Sequence, residues 1–113
     1  MKIVFSDAAK ERVERDLEPN KALVLDFDDG VGPFSDEATC TLDVAFNLIV
    51  VDPEKISKDF DETVPSNLGQ VYVKGYAINQ LDENASIDLD KYLRFQLKGD
   101  SGMIDPNMSL QTR

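Results

Sequence analysis

The chain contains no histidine and no tryptophan, and a single cysteine, Cys40, among 113 residues. Without histidine there is no Ser-His or Cys-His pair for nucleophilic catalysis. Transition-metal or cluster chemistry is left to one thiol per chain, to carboxylates, or to a second subunit. One cysteine makes no intrachain disulfide, which fits a reducing cytosol. Positive charge is scarce too: 12 Lys plus Arg stand against 22 Asp plus Glu, a net of −10. That surface repels a polyanion and an anionic lipid layer, so neither nucleic acid nor membrane is expected as a partner. Long apolar runs are missing as well. Leu48-Ile49-Val50-Val51 falls far short of the ~20 residues that cross a bilayer. Met1-Lys2-Ile3-Val4-Phe5 is too short for the apolar core of a signal peptide. The expectation is a soluble, cytoplasmic protein.

What is present describes one globular domain over residues 1–113, with hydrophobic residues at 42% and charged residues at 30%. Lys2–Phe5 is a short β-prone run. Ser6 offers an oxygen to cap a helix, and Ala9, Val13 and Leu17 form one apolar stripe that should stop near Leu17, because Pro19 follows. From Ala22 the period changes to two. Leu23, Leu25 and Phe27 alternate with Val24, Asp26 and Asp28, which reads as a strand. Gly30, Gly32 and Pro33 break it. Cys40 opens the next strand, whose end at Leu48–Val51 is apolar on both faces, as expected for a strand covered on both sides.

The stretch 54–67 is polar, carries Pro65, and reads as a surface excursion with a helical turn. Val71–Lys74, Ser86–Asp90 and Tyr92–Leu97 read as further strands. Tyr76–Leu81 is open between a strand end and a helical turn. A mobile tail is expected from about residue 105. One helix cannot cover both faces of five to seven strands. The fold class is therefore mainly β with one capping helix, the strands folding on each other as a sandwich or partial barrel.

Three features invite a functional reading. Cys40 is either a thiolate for iron, a cluster or redox chemistry, or a small buried hydrophobe at a strand start. The acidic set Asp26, Asp28, Asp29, Asp36, Glu37 and Asp43 either holds a hard cation or forms a solvated edge that discourages aggregation. Its spacing fails the calcium-loop pattern, since Gly30 falls where a carboxylate or amide belongs and Val31 where glycine belongs. The turn Gly30-Val31-Gly32-Pro33-Phe34 follows two aspartates and opens no helix, so a conformational role fits better than phosphate binding. Tyr72, Tyr76 and Tyr92 read as core or rim aromatics. No carboxylate pair is singled out for acid–base work, and no enzyme activity is expected.

Leu25-Asp26-Phe27-Asp28-Asp29-Gly30-Val31-Gly32-Pro33-Phe34-Ser35, the cysteine before an apolar strand, Val71-Tyr72-Val73-Lys74-Gly75, Leu81-Asp82 and Asp100-Ser101-Gly102 together resemble the HesB-like domain of A-type iron–sulfur cluster biogenesis proteins. The first motif is similar to a short Firmicutes branch of that family. The resemblance covers nearly the whole chain. It implies a β-rich pseudobarrel capped by a helix, a homodimer, and a carrier or accessory role for iron or an iron–sulfur cluster without turnover chemistry. Assembly or client proteins of iron–sulfur biogenesis would be the partners.

The family site uses one cysteine at the start of a central strand and a Cys-x-Cys near the C-terminus. Cys40 matches the first, and the Cys-x-Cys is absent. One thiolate is a poor cluster site. If metal binds, Cys40 supplies a thiolate, and a second Cys40 or nearby Asp36, Glu37 or Asp43 completes the shell. Two other readings stay open. The fold, depleted of ligands, serves as an acidic protein-binding module without metal, or Cys40 acts as a thiol sensor.

Overall fold

The computed structural model describes residues 1–27 and 46–113. They form a closed barrel with strand order β1-β4-β5-β2-β3-β8-β7-β6. In chain order the elements are β1 (Lys2–Phe5), α1 (Asp7–Glu14), β2 (Ala22–Phe27), β3 (Phe46–Val51), β4 (Glu62–Ser66), β5 (Gly69–Val73), β6 (Asn84–Leu89), β7 (Phe95–Gly99) and β8 (Gly102–Thr112). Short 3-10 segments lie at Pro53–Lys55 and Gly75–Gln80, the second resolving the ambiguity at Tyr76–Leu81 toward helical structure. Of the two expected forms the strands adopt the barrel, and closure gives every described strand a neighbour on both sides.

Local chemistry explains the first half. The Ala9 backbone N–H donates to Ser6 Oγ at 3.3 Å, the helix start foreseen from the capping residue. Ala9 and Val13 are buried in the barrel core, with Leu17 packed against it. The helix ends at Glu14 with Arg15 as its cap, earlier than the Leu17 expected. Leu23 and Leu25 of β2, Leu48 and Val50 of β3, and Val71 and Val73 of β5 belong to the same interior cluster. The other faces of these strands are covered as well. Val24, Ile49, Val51 and Phe60 form a second cluster, with Ile56 and Tyr72 against it. Segment 52–61 thus roofs the outer face of β2 and β3, which accounts for the two-sided apolar run Leu48–Val51.

Three expectations are corrected. Stretch 54–67 is more than a surface excursion, because Glu62–Ser66 is barrel strand β4, paired antiparallel with β5. Only Val64 in it is buried, so no alternation betrays it. Pro65 is tolerated because the far side of β4 meets β1 at a single registered pair, Ile3↔Ser66. The described residues alone form eight strands, where five to seven were expected. The tail from residue 105 is not a mobile end. It lies in β8, which pairs parallel with β3 and antiparallel with β7. Asp105 and Met108 are buried there, and their burial fixes the strand.

Candidate functional site

Cys40, Asp36, Glu37 and Asp43, together with Asp28, Asp29 and the Gly30–Phe34 turn, lie outside the described residues. The structure does define the ends from which that segment starts and to which it returns. Phe27 ends β2, Phe46 begins β3, and the two are a registered antiparallel pair. Their rings meet edge to face, with centroids 5.2 Å apart.

A buried charged side chain holds each end. On the β2 side, Lys74 Nζ donates to the Phe27 carbonyl at 2.8 Å and lies 2.9 Å from Asp26 Oδ1. Both charged side chains are fully buried, and the Lys74 ammonium sits 5.7 Å from the centroid of the Phe60 ring. Asp26 is therefore no part of a solvated acidic edge. Register is the cause. β2 and β5 run parallel with Val24 opposite Tyr72, so two residues on, Asp26 and Lys74 face each other under the roof of segment 52–61. On the β3 side, Asp105 Oδ2 accepts the Phe46 backbone N–H at 2.9 Å, and its Oδ1 accepts from Asn107 N–H at 3.0 Å.

Sequence reasoning missed Lys74 and Asp105 in this role. A lysine between Val73 and Gly75 looked like a strand end, and Asp105 before Pro106 looked like the start of a mobile tail. The available signal was the pairing of Asp26 with a lysine at the same outward phase of another strand.

The hairpin between β7 and β8, where Asp100-Ser101-Gly102 lies, is tied to the turn before β6. Asp82 Oδ2 accepts from the Ser101 backbone N–H at 3.1 Å and from its hydroxyl at 2.8 Å. These donors, the backbone one first, hold the Asp82 carboxyl below the usual carboxylate range. Gly99 allows the approach, since a Cβ there would lie 2.3 Å from Asp82 Oδ2. An open cleft of about 350 Å³ beside this turn is lined by Met1, Ile78, Asn79, Asp82 and Glu83. Of the three tyrosines, Tyr72 packs on the outer cluster, while Tyr76 and Tyr92 are exposed. Among the described residues, no group of three or more Cys, Asp or Glu side chains could hold a metal ion. Nor is any described helix long and apolar enough to cross a membrane.

Among the described residues, the barrel of eight strands mixes parallel and antiparallel pairs, and one face of a single helix packs on its core through Ala9 and Val13. A crystal structure from Lactobacillus salivarius, of a protein provisionally designated for Fe-S biosynthesis and described as a novel fold, matches with a TM-score of 0.87. It shares 36% sequence identity over 99% of this chain and 98% of that one. A second, from Lactobacillus acidophilus with the same provisional designation, matches at a TM-score of 0.76 and 23% identity over 99% and 90% of the two chains, a likeness of fold. No curated protein matches the sequence. The sequence model for iron-sulphur cluster biosynthesis matches residues 1–112. This chain belongs to the iron-sulphur cluster biosynthesis family, as the resemblance to HesB-like domains implied.

Proposed function

We propose that this protein is a cytoplasmic carrier or accessory factor that takes iron or an iron–sulfur cluster as cargo through Cys40, and that it catalyses no reaction. Family membership over residues 1–112 is the observation that carries this reading. Scarcity of ligands shapes it. With one thiol and no imidazole per chain, a protomer supplies a single soft donor, and a stable shell needs a second Cys40 in a homodimer or the neighbouring Asp36, Glu37 or Asp43. The partners are the proteins that load and receive the cargo.

The test is anaerobic reconstitution with ferrous iron and sulfide, followed by visible absorption and gel filtration. Wild type gains a chromophore in a dimeric fraction, and Cys40→Ser does not. A wild-type chain that stays colourless at every concentration rules the cluster-carrier reading out, and one that also retains no iron after gel filtration rules out the carrier reading as a whole.

A second reading follows from the net charge of −10 and the single thiol per chain. In it the fold is an acidic binding module without metal. A basic partner held equally by wild type and Cys40→Ser, and released at high salt, identifies that case.

A further inference from the structure

The turn between β6 and β7 carries an apolar tip that the barrel core does not use. Leu93 sits there at φ 64° and is 72% exposed, with the exposed ring of Tyr92 beside it. A leucine in the left-handed region costs free energy that burial ordinarily offsets. The turn is nevertheless tightly tied. Asp90 Oδ1 accepts the backbone N–H of Tyr92 at 2.8 Å and that of Arg94 at 2.9 Å, and the Asp90 carbonyl accepts the Leu93 N–H at 3.0 Å. The Lys91 ammonium and the Arg94 guanidinium each lie 5.1 Å from the centroid of the Tyr92 ring. An apolar tip fixed in this way loses little freedom when something covers it.

Leu93 is also one wall of a groove of about 230 Å³, formed with Leu89 and with one face of α1 and its cap, Ala8, Glu11, Arg12 and Arg15. The whole chain carries −10, so two copies repel over most of their surfaces. At the groove the charge is balanced: Arg12 is paired with Asp16, Arg15 with Glu11 and Arg94 with Asp90. The Arg15–Glu11 contact is long, 3.7 Å, and its side chains are 68% and 76% exposed, so its members exchange partners at little cost. An acid and a cation four residues apart on a helix match their own pattern when a second helix lies antiparallel. The acid of each copy then meets the cation of the other, as a two-fold axis requires. A second copy satisfies both signs and the apolar centre together, whereas a partner of one charge sign leaves Glu11 or Arg15 unmatched.

We propose that this groove is the interface between two copies of the chain related by a two-fold axis. Leu93 of each copy packs into the groove of the other, and Glu11 of each pairs with Arg15 of the other. The proposal deepens the homodimer of the carrier reading by giving it a surface, and its test, run without iron or sulfide, fails separately from that reading.

The experiment is sedimentation equilibrium of the full metal-free chain with a reductant present, over a concentration series. Wild type dimerises reversibly. Leu93→Asn suits the left-handed backbone, so the fold is kept while the apolar anchor is lost, and the dimer dissociation constant rises at least about tenfold. Glu11→Lys and Arg15→Glu each put like charges across the axis, and each weakens self-association. Mixed in equal amounts, these two variants form a heterodimer tighter than either does alone, because opposite charges meet at both contacts again. Thermal melts of each variant confirm folding. A wild-type chain that stays monomeric up to about 1 mM overturns the proposal. A dimer that Leu93→Asn leaves unchanged overturns it too, as does a mixture no tighter than its components. Cargo uptake by a chain that proves monomeric would leave the carrier reading standing through Asp36, Glu37 or Asp43.

Discussion

The side-chain amide of Asn67 grips Phe5 from both ends: its Oδ1 accepts the Phe5 N–H at 2.8 Å and its Nδ2 donates to the Phe5 carbonyl at 2.9 Å. β1 meets β4 at only one registered pair. The amide stands in for the next backbone partner and completes the seam between the two strands. Asn67→Asp loses the donor and sets a carboxylate against a carbonyl, and Asn67→Ala loses both bonds. Either change should lower stability by about 1–3 kcal/mol. Denaturant unfolding checks it, and an unchanged midpoint in both variants refutes the role.

Lys74 and Asp26 make a separate energetic prediction. Lys74→Met alone strands a carboxylate in the interior, which costs about 3–5 kcal/mol. Adding Asp26→Leu should recover most of that loss, because no unbalanced charge remains. The double-mutant cycle, read from urea midpoints, should therefore show strong coupling between two positions far apart in sequence. Additive effects would mean that the pair does not behave as a unit.

The sequence speaks clearly wherever the cause is local. Ser6 as a cap, the stripe Ala9–Val13–Leu17 and the alternation Leu23–Leu25–Phe27 lie within a few residues of what they determine, and the elements follow. β4 and β8 were not legible in this way. Each carries a proline and few buried side chains, Val64 in one and Asp105 and Met108 in the other. Their strand character comes from partners far along the chain, as when Ser109 donates to the Asn47 side chain across 62 positions. Asp26 read as a surface acid for the same reason, since nothing near it announces Lys74. Cys40 stood out by its scarcity and by its place just before an apolar strand. The buried contacts of Lys74 and Asp105 required the register of two parallel strand pairs, and a single sequence does not show register.

Leu93 occupies the left-handed region at φ 64°, while its side chain stays 72% exposed. The backbone there favours glycine, and almost no packing compensates for the strain. Leu93→Gly should raise stability by about 0.5–1 kcal/mol, which corresponds to a shift of roughly 3–6 °C in a domain of this size. Calorimetry measures it. A lower Tm would show that the exposed leucine contributes more than its surroundings reveal.

Stability should be level near neutral pH and fall in acid. Donors in the folded state lower the carboxyl pKa of four aspartates: Lys21 for Asp52, the Ser101 N–H for Asp82, the Ser6 hydroxyl for Asp88 and the Arg94 N–H for Asp90. A depressed folded value gives stability that is fully present above the ordinary aspartate pKa and is lost as pH falls through the folded one. The decline should therefore begin near pH 4 and steepen below it. Lys21 is raised by its hydrogen bond to Asp52, and its share is lost only as pH climbs above the ordinary lysine range. Asp82→Asn should flatten part of the acid limb in Tm measured against pH. A limb unchanged by that substitution removes Asp82 from the account.

Residues 105–113 look dispensable in the sequence and are structural in the barrel. β8 lies between β3 and β7, so removing it opens two strand edges at once. The same deletion takes Met108 from the core and the Asp105 carboxylate from the Phe46 N–H. A chain ending at Ile104 should lose cooperative unfolding altogether and bind a hydrophobic dye, where a chain shedding a mobile tail would keep its full transition. Met108→Ala in the intact chain separates the packing contribution from the edge. It should cost about 2–5 kcal/mol while leaving the transition cooperative. A truncated chain that still melts in one sharp step would show that the barrel closes without its eighth strand.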